Sequence, residues 1–412
     1  MNILALTSVY PQSDDGKDIV TPTVKYFCEK WAESGHNVIV VHNNSCFPVI
    51  FYYLPNRLRR NLSSKLGHNL PTLESRKKKV VVKNNMSVYR IPITKWIPYS
   101  KFSKRQLHKQ IIEIRKILDE NELVPDVIIG HWMNPQIELL NGLSKFYNAK
   151  TSLVFHGDCT QKQIDKFDLK EKILNINAVG CRNKEYADYV QGVLELKRKP
   201  FICYSGIPDE EVEKQKKYLR DNPQLTINKE FIYVGRLVKY KKVDTIIKAL
   251  NIAYPKKDFK LHIVGEGAEK GFLKNLIKNL QMECNVIFHG QINREKVFDI
   301  MRKSLCFTMV SESETFGMVY IEAMLAGCVT IGSKKGGIDG VIQDGENGFL
   351  SEEGNVKELS DIYKRIEKMN NEEIKQIRKN AIKTAFKFKD SLIAEKYLND
   401  VLNWKRENKC IK

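Results

Sequence analysis

Short apolar runs alternate with helical patterns along almost the whole chain, and this alternation restricts the possible folds more than any other feature. The first set of runs begins at NILALTS (2–8), and a second set begins at EFIYVGR (230–236). Strand patterns that alternate with helix patterns are typical of β-α units. Nearly continuous apolar strands indicate a parallel sheet covered on both faces. Two such sets in 412 residues predict an α/β chain with two Rossmann-like, doubly wound domains.

The predicted strands are short apolar runs, and two helix patterns close the chain. In the first half the strands are 2–8, 37–43, 126–132, 151–157, 177–181 and 200–206. In the second half they are 230–236, 259–267, 284–290, 305–310 and 328–333. The closing helices are predicted at about 370–387 and 391–404.

A polar, charged stretch, GIPDEEVEKQKKYLRDNPQLTINKE (206–230), separates the two sets of strands. We therefore predict an N-terminal domain over 1–205, a linker over 206–229 and a C-terminal domain over 230–388. The last helix, within 389–412, is expected to cross back to the N-terminal domain. Ligands of such sheets bind at the carboxyl ends of the strands, and two facing domains would place the site in the cleft between them.

Composition argues against several classes of protein. The chain contains no stretch of 18 apolar residues, so the sequence predicts no membrane-spanning helix. The first residues, MNILALTSVYP, lack the basic segment and cleavage site of a secretion signal and predict a buried strand. Nine cysteines without a C-x-x-C pattern argue against zinc ribbons and redox motifs. An odd number of cysteines without a secretion signal predicts reduced thiols in a cytoplasmic protein.

Positive charge is concentrated in one part of the first half. The net charge is +19, and residues 55–116 contain seventeen lysines and arginines but only two acidic residues. Such a segment suits an anionic partner, namely a membrane, a nucleic acid or a phosphorylated substrate, although a solvated Lys-rich face has the same composition. The run CFPVIFYYLPNRLRRNLSSKLG (46–67) joins an aromatic part to a basic part. This run predicts either a segment in the plane of a membrane interface or an irregular insertion packed on its own domain, and the basic insertion at about 46–116 as a whole is expected to face the membrane.

Two carboxylates, Glu314 and Glu322, lie eight positions apart in ESETFGMVYIEAMLAGCVTIGS (312–333). If the segment between them were fully helical, a rise of about 1.5 Å per residue would separate them by roughly 12 Å. Paired glycosidase carboxylates lie only about 5 to 9.5 Å apart. The spacing therefore argues against an acid/base pair and favours contacts with two ends of one extended ligand.

The start of this helix predicts an anion site. We expect Thr315 to be the N-cap, so that the backbone N–H groups of Phe316, Gly317 and Met318 are available to a diphosphate. Gly317 would allow a ligand to approach the backbone closely.

A second cluster of candidate residues follows the strand EFIYVGR. The strand ends at Gly235, and Arg236 and Lys241 precede the next helix. Two cations at the carboxyl end of a strand can neutralise phosphate charge, although ordinary surface charge would have the same pattern.

The order of these motifs resembles that of a known family. Glu314 and Glu322 form an E-x7-E motif, preceded by GRLVKYKKVD (235–244) and IVGEG (263–267) and followed by GGIDGVIQDGENGFL (336–350). This arrangement resembles glycosyltransferase family 4, the retaining enzymes of the GT-B fold, in its bacterial surface-polysaccharide type. The resemblance spans nearly the whole chain and is strongest from about 230 to 352. It implies two Rossmann-like domains that face each other across a cleft.

The resemblance implies a role for each matching residue. Arg236 and Lys241 would bind the donor diphosphate and stabilise the charge of the leaving group. Glu322 would bind the ribose hydroxyls, and Glu314 would contact the hydroxyls of the transferred sugar. His156, at the end of SLVFHG (152–157), matches a histidine near the sugar and the acceptor, although a histidine at a strand end can be purely structural.

The remaining donor-binding positions are mainly backbone and loop residues. By the resemblance they are Gly16, Gly235, Gly265, Glu266, Phe316, Gly317 and Met318. The loop YPQSDDGKDIVTP has one glycine, Gly16, where many relatives have two. GEGAEKG (265–271) is not a dinucleotide fingerprint, and the resemblance makes it a loop on the nucleotide side. Two smaller departures from the family pattern are Lys242 after Lys241 and Ser205 before Gly206.

The resemblance implies a retaining, metal-independent hexosyltransferase whose donor is a UDP-sugar or a GDP-sugar, without a further cofactor. Cations and a helix N-terminus would stabilise the departing nucleoside diphosphate. The acceptor would be a glycan, including a polyprenyl-diphosphate-linked glycan of capsule, O-antigen or exopolysaccharide assembly. The enzyme would be cytoplasmic, peripheral on the anionic inner face of the cell membrane, and without a nucleic-acid partner.

Two alternative functions compete with this prediction. A nucleotide-sugar 2-epimerase has a similar two-domain fold, but E-x7-E together with the GRL and Lys element argues against it. A non-enzymatic binder of anionic membrane or nucleic acid would explain the charge of +19. Its aromatic residues, however, lie mostly in apolar strands, and no nucleic-acid motif is present.

Overall fold

The computed structural model describes residues 1–11, 21–55, 58, 73–83, 85–95, 100–222, 228–312 and 314–404. The chain divides into two compact units. The first unit consists of Met1–Cys181, Ala187–Cys203 and Ala394–Lys412, and the second consists of Arg182–Tyr186 and Tyr204–Ile393. Most of the predicted linker is therefore part of the second unit.

The first unit is built on an eight-stranded sheet with the order β3-β4-β2-β1-β5-β6-β7-β8. All neighbouring strands are parallel except β3 and β4, which are antiparallel. The strands are β1 (Asn2–Thr7), β2 (Asn37–Cys46), β3 (Lys79–Lys83), β4 (Met86–Thr94), β5 (Val127–His131), β6 (Lys150–Phe155), β7 (Ala178–Cys181) and β8 (Phe201–Ile202). Every residue of β5 is buried, as the apolar pattern of a covered parallel strand predicts.

Helices cover the faces of this sheet. They are α1 (Thr23–Glu33), α2 (Lys104–Glu120), α3 (Gln136–Leu143), α4 (Gln161–Phe167), α5 (Leu169–Lys172) and α6 (Lys184–Val193). Helix α6 belongs to this unit from Ala187 onward, and the last helix of the chain belongs to it from Ala394 onward. Helix α2 begins with a capping box, in which Ser103 Oγ accepts from the N–H of Gln106 and Gln106 Oε1 accepts from the N–H of Ser103. Trp31 of α1 is buried, and its Nε1 donates to the carbonyl of Ala394 at 2.9 Å, which fixes the last helix to this unit.

The second unit contains a six-stranded parallel sheet with the order β11-β10-β9-β12-β13-β14. Its strands are β9 (Glu230–Val234), β10 (Lys260–Val264), β11 (Val286–Gly290), β12 (Cys306–Thr308), β13 (Val329–Ser333) and β14 (Phe349–Ser351). Its helices are α7 (Asp209–Asp221), α8 (Val243–Ala253), α9 (Lys270–Asn279), α10 (Arg294–Lys303), α11 (Met318–Ala326), α12 (Val356–Lys368) and α13 (Asn371–Ala385); α14 (Asp390–Leu402) begins in this unit. Two doubly wound sheets, parallel except for the edge strand β3, confirm the predicted α/β architecture.

Part of the predicted insertion at about 46–116 is regular sheet, which the sequence analysis did not predict. Strands β3 and β4 extend the first sheet at its edge. All five residues of β3, KVVVK, are exposed. An edge strand with lysines at both ends does not show the apolar pattern of a buried strand.

The aromatic run that precedes these strands forms a short 3-10 turn, Val49–Tyr53. Within the segment 46–67, residues 56, 57 and 59–67 lie outside the described residues. None of the helices in the described ranges is long and apolar enough to cross a bilayer. The eight cysteines that the structure describes are free thiols, and Cys284 is exposed.

Candidate active site

The candidate site lies where the strand order of the second sheet reverses. The chain runs from β9 outward to β10 and β11 and then returns to the other side of β9 as β12. In doubly wound sheets, ligands bind at the carboxyl ends of the strands at such a switch point. Gly235 and Arg236 follow β9, and the segment that contains Glu314 follows β12.

A cavity of about 770 Å³ opens at this switch point. It is lined by Val234, Gly235, Arg236, Tyr240, Lys241, Met309, Glu314, Thr315, Gly317, Met318, Val319 and Glu322. Seven of the residues that the sequence analysis proposed thus line one cavity of the second unit. Gly265, Glu266 and Phe316 are not among its lining residues.

Lys241 and Glu314, 73 positions apart in sequence, form an ion pair in which the ammonium of Lys241 contacts Oε2 of Glu314. Both side chains are mostly buried, with 11 % of Lys241 and 18 % of Glu314 exposed. The short 3-10 turn Lys239–Lys241 brings the ammonium to the end of β9. The charges of the two predicted catalytic groups therefore neutralise each other.

Arg236 is exposed at the cavity, and two tyrosines fix its position. Its Nη2 donates to the hydroxyl of Tyr240 at 2.6 Å, and the hydroxyl of Tyr233 donates to the Arg236 carbonyl at 2.9 Å. Burial and the nearby charge of Glu314 raise the pKa of Tyr233, so this tyrosine remains a protonated donor.

The helix that carries Glu322 begins later than predicted. Helix α11 starts at Met318 with Gly317 as its N-cap, so the predicted N-cap at Thr315 was wrong. Gly317 has φ of +76°, a conformation that glycine adopts without strain, and a Cβ there would lie 2.7 Å from the ring of Tyr320. The chain turns sharply before the helix, and the first residues of α11, Met318 and Val319, line the cavity. The first N–H groups of a helix have no partner within it.

The remaining predicted residues of this unit support the loops. Phe316 is buried, with its ring 5.1 Å from that of Tyr204, so its side chain belongs to the core. Gly265 has φ of +130°, and a Cβ there would lie 2.0 Å from the carbonyl oxygen of Gly235, so only glycine lets the loops after β9 and β10 approach each other. Glu266 pairs with Lys270 at 2.6 Å.

Two residues that the sequence analysis missed hold the E-x7-E segment. Asn183 Nδ2 donates to the carbonyl of Thr315 at 2.7 Å, while its Oδ1 accepts from the N–H of Tyr186. Arg294 Nη2 lies 2.7 Å from Oε1 of Glu322. An asparagine before a helix pattern predicts an N-cap, but no local signal links these residues to Glu314 or Glu322.

His156 follows β6 in the first unit and is held by aromatic neighbours. Its ring stacks on Trp132 with centroids 3.9 Å apart, and its Nε2 is 3.0 Å from Nδ1 of His131. His131 is buried, and its Nε2 lies 3.2 Å from the hydroxyl of Tyr397. The ring of His156 is therefore positioned by at least two side chains that the sequence analysis did not select.

The loop of His156 is fixed by Asp158. Its carboxylate accepts from the N–H groups of Met133 at 2.5 Å and His156 at 2.8 Å. Burial raises the pKa of Asp158, and these amide hydrogen bonds oppose the rise. The predicted diphosphate contact at Gly16 lies outside the described residues.

A second cavity, of about 800 Å³, lies in the first unit and is lined by residues such as Glu138, Asn141 and Lys172. It lies at the amino edge of the sheet, beside the loops that enter β6 and β7, and contains none of the predicted residues. Because doubly wound sheets bind ligands at the opposite edge, we assign the site to the cavity of the second unit. No group of three or more His, Cys, Asp or Glu is arranged for a metal ion in the part of the chain that the structure describes.

Part of the chain is similar in sequence to known proteins. Residues 214–384 match the family model of glycosyl transferases group 1. N-acetyl-alpha-D-glucosaminyl L-malate synthase of Bacillus anthracis is 35 % identical over 133 residues, which are 32 % of this chain and 34 % of that protein. The chain thus aligns with only about a third of the length of this relative.

The similarity to solved structures extends over nearly the whole chain. Sucrose-phosphate synthase from Thermosynechococcus elongatus superposes with a TM-score of 0.68 at 18 % identity, covering 97 % of this chain and 98 % of that one. Anabaena HepE in complex with UDP and glucose superposes with a TM-score of 0.58 at 17 % identity, covering 98 % and 99 %. Similarity at this level of identity shows the fold, and it confirms the GT-B prediction. Residues 214–384 carry the sequence pattern of the group 1 glycosyl transferases, on a chain with the GT-B fold.

Proposed function

We propose that this protein is a glycosyltransferase that moves a sugar from a nucleotide-diphosphate sugar to an acceptor hydroxyl. The observation that carries the proposal is the cavity at the switch point, where Arg236, Lys241, Glu314, Glu322 and the N-terminus of α11 meet. Cations and helix N–H groups suit a diphosphate. Carboxylates accept hydrogen bonds from hydroxyls, and hydroxyls of the ribose and of the transferred sugar lie on either side of the diphosphate.

The same groups provide the chemistry of the transfer. Departure of the nucleoside diphosphate creates negative charge, and Arg236 and Lys241 are positioned to stabilise it. Because Lys241 pairs with Glu314, a diphosphate that binds Lys241 would have to draw it away from Glu314 or share it. Glu314 would then be available for the hydroxyls of the transferred sugar.

We further propose the finer assignment to glycosyltransferase family 4, with retention of anomeric configuration and without a metal ion. The E-x7-E motif and the GRL and Lys element support this assignment. HepE is solved with UDP and glucose, which supports a UDP-sugar donor for this chain, with a GDP-sugar as the other candidate. His156, held by Trp132 and His131, would face the transferred sugar and the acceptor.

For the acceptor we propose a polyprenyl-diphosphate-linked glycan of capsule, O-antigen or exopolysaccharide assembly, with the enzyme peripheral on the cytoplasmic face of the membrane. Three apolar side chains of the turn Val49–Tyr53 are exposed: Val49 by 45 %, Ile50 by 70 % and Tyr53 by 74 %. The guanidinium of Arg76 lies 5.9 Å from the ring of Tyr52 in this turn, and Lys77–Lys79 follow Arg76. Apolar side chains beside cations suit an anionic lipid surface rather than a nucleic acid.

Donor binding is tested by a thermal-shift screen with UDP-, GDP- and ADP-sugars. We expect one donor class to stabilise the wild type more than Glu322→Ala, because this substitution removes the proposed ribose contact. Glu312→Ala is the matched control, since Glu312 pairs with Lys242 at 3.0 Å and does not line the cavity. Equal responses of wild type and Glu322→Ala would contradict the site. Incubation with donor alone separates the alternatives, because an epimerase would isomerise the sugar.

Membrane binding is tested by sedimentation with vesicles of phosphatidylglycerol and of phosphatidylcholine. Burial of an apolar side chain is worth about 1.5 to 3 kcal/mol, so Ile50→Asp is expected to weaken binding to the anionic vesicles about tenfold or more. Val124→Asp is the control, because Val124 is exposed in the loop before β5. If wild type ignores anionic vesicles at low salt, the membrane assignment is wrong.

A further inference from the structure

We infer that Arg294 is a positioning residue for ribose recognition, which holds the carboxylate of Glu322 in the orientation that accepts the ribose hydroxyls. The inference rests on the proposed function, because it takes Glu322 as the ribose contact. Arg294 lies outside the E-x7-E motif and outside the GRL and Lys element.

The side chains of Arg294 and Glu322 form an ion pair. Arg294 Nη2 is 2.7 Å from Oε1 of Glu322, and the Glu322 side chain is mostly buried. Glu322 lines the cavity, whereas Arg294 is not among the lining residues. A carboxylate offers about four acceptor positions on its two oxygens, so Glu322 can bind the guanidinium and two hydroxyls at the same time.

The position of Arg294 is set by its own helix. Asn293 is the N-cap of α10 and accepts from the N–H of Lys296 at 2.9 Å, which makes Arg294 the first helical residue. One turn later, the ring of Phe298 lies 5.9 Å from the guanidinium. An ion pair at one carboxylate oxygen restricts the rotation of the Glu322 side chain.

Arg294 has two possible effects on a bound nucleotide, and they differ in what they recognise. Its positive charge offsets the charge of Glu322 in a cavity that must also accept a diphosphate, and this effect is the same for every nucleoside diphosphate. The orientation of Glu322 matters only for ligands that carry the ribose hydroxyls. The ratio of the affinities for a ribonucleotide and its deoxy form therefore depends on how Arg294 orients Glu322 and not on the charge of Arg294.

The experiment measures calorimetric affinities for UDP, GDP and ADP and for their 2′-deoxy and 3′-deoxy forms. Hydrogen bonds to charged groups are worth about 1.5 to 3 kcal/mol, so the wild type is expected to prefer the ribonucleotide by about tenfold or more. In Arg294→Gln this preference is expected to fall to within about threefold of unity, as in Glu322→Ala. The double variant should lose no further preference, because both substitutions remove one interaction.

Arg302→Gln is the matched control. Arg302 lies on the same helix, and its guanidinium bonds to Gln215 at 2.9 Å and to Asp299 at 3.0 Å rather than to Glu322. This variant is expected to keep the ribonucleotide preference of the wild type.

The possible outcomes separate the inference from the proposed function. If Arg294→Gln keeps the preference, or loses affinity equally for both forms, the inference is overturned. If the wild type binds nucleotides without preference, Glu322 does not face the ribose, and the inference fails while nucleotide binding stands. If the wild type binds none of the nucleotides, the proposed function fails, and the inference fails with it.

Discussion

Glu314→Gln is expected to destabilise the second unit, because it leaves the ammonium of Lys241 without its carboxylate. Removing one partner of a buried ion pair costs about 3 to 5 kcal/mol. Here 11 % of Lys241 and 18 % of Glu314 remain exposed, and the glutamine oxygen still accepts a hydrogen bond. We therefore expect a loss of about 2 kcal/mol, which lowers the melting temperature of a unit of this size by about 4 to 8 °C.

A double-mutant cycle separates this effect from general damage to the cavity. Lys241→Met removes the charge that Glu314→Gln leaves unpaired, so the double variant should be more stable than the sum of the single variants by about 1 kcal/mol or more. The control is Asp244→Asn, which breaks the more exposed pair of Asp244 and Lys248 and should change stability by less than about 0.5 kcal/mol.

The same variant makes a prediction about ligand binding. In Glu314→Gln a diphosphate meets an unpaired Lys241, whereas in the wild type it competes with the carboxylate. A nucleoside diphosphate should therefore raise the melting temperature of Glu314→Gln more than that of the wild type. Our account of the pair would be refuted if Glu314→Gln melted at the wild-type temperature, or if the single effects simply added.

Three further predictions concern the folded state. Gly265→Ala should abolish nucleotide binding in calorimetry and lower the melting temperature, because the new Cβ would clash with the Gly235 carbonyl. Gly271→Ala is the control and should change neither property, because the space around Gly271 is open. Trp31→Ala should cost about 3 to 5 kcal/mol in urea denaturation, and a loss below about 1 kcal/mol would contradict its role in fixing α14. Burial and the charge of Arg90 lower the pKa of His42 to about 4 in the folded protein. As the pH falls below 6.5, His42 is therefore protonated in the unfolded chain at a higher pH than in the folded protein. The wild type should therefore lose about 3 kcal/mol more stability than His42→Asn between pH 6.5 and 4, and equal pH slopes would contradict this.

Most strands of the core were predictable because their burial is written in the sequence, although the inner strand β4 was missed. Strand β5 is buried at every residue and appears as the continuous apolar run within DVIIGHW. Strand β3 was missed because an exposed edge strand has no inner face to mark it. The predicted strand at 200–206 shrinks to Phe201–Ile202, since it pairs only through two residues at the end of the sheet.

The residues of the candidate site that belong to a sequence motif were predictable. The residues that reach the site through tertiary contacts were not. The E-x7-E motif and the GRL and Lys element led to seven residues that line one cavity. The Lys241–Glu314 pair, the Arg294–Glu322 pair and the bond from Asn183 to Thr315 join distant parts of the chain. Such contacts depend on how the elements pack, which no local pattern encodes.

The N-cap prediction failed for a local reason. Thr315 has the side chain of an N-cap, but the positive φ of Gly317 turns the chain sharply, and the helix starts only after it. Phe316 is thereby directed into the core, where it packs against Tyr204. The proposed anion site at the start of α11 would consequently begin at Met318.

Hydrogen–deuterium exchange with and without the nucleotide that binds most tightly tests the central claim most directly. If the nucleotide occupies the cavity at the switch point, amides in 235–241 and 314–322 should gain protection, and this gain should be smaller in Glu322→Ala at the same nucleotide concentration. The loops around the second cavity, in 141–149 and 172–177, should not change. Protection of those loops, with 235–241 and 314–322 unchanged, would contradict the assignment of the active site.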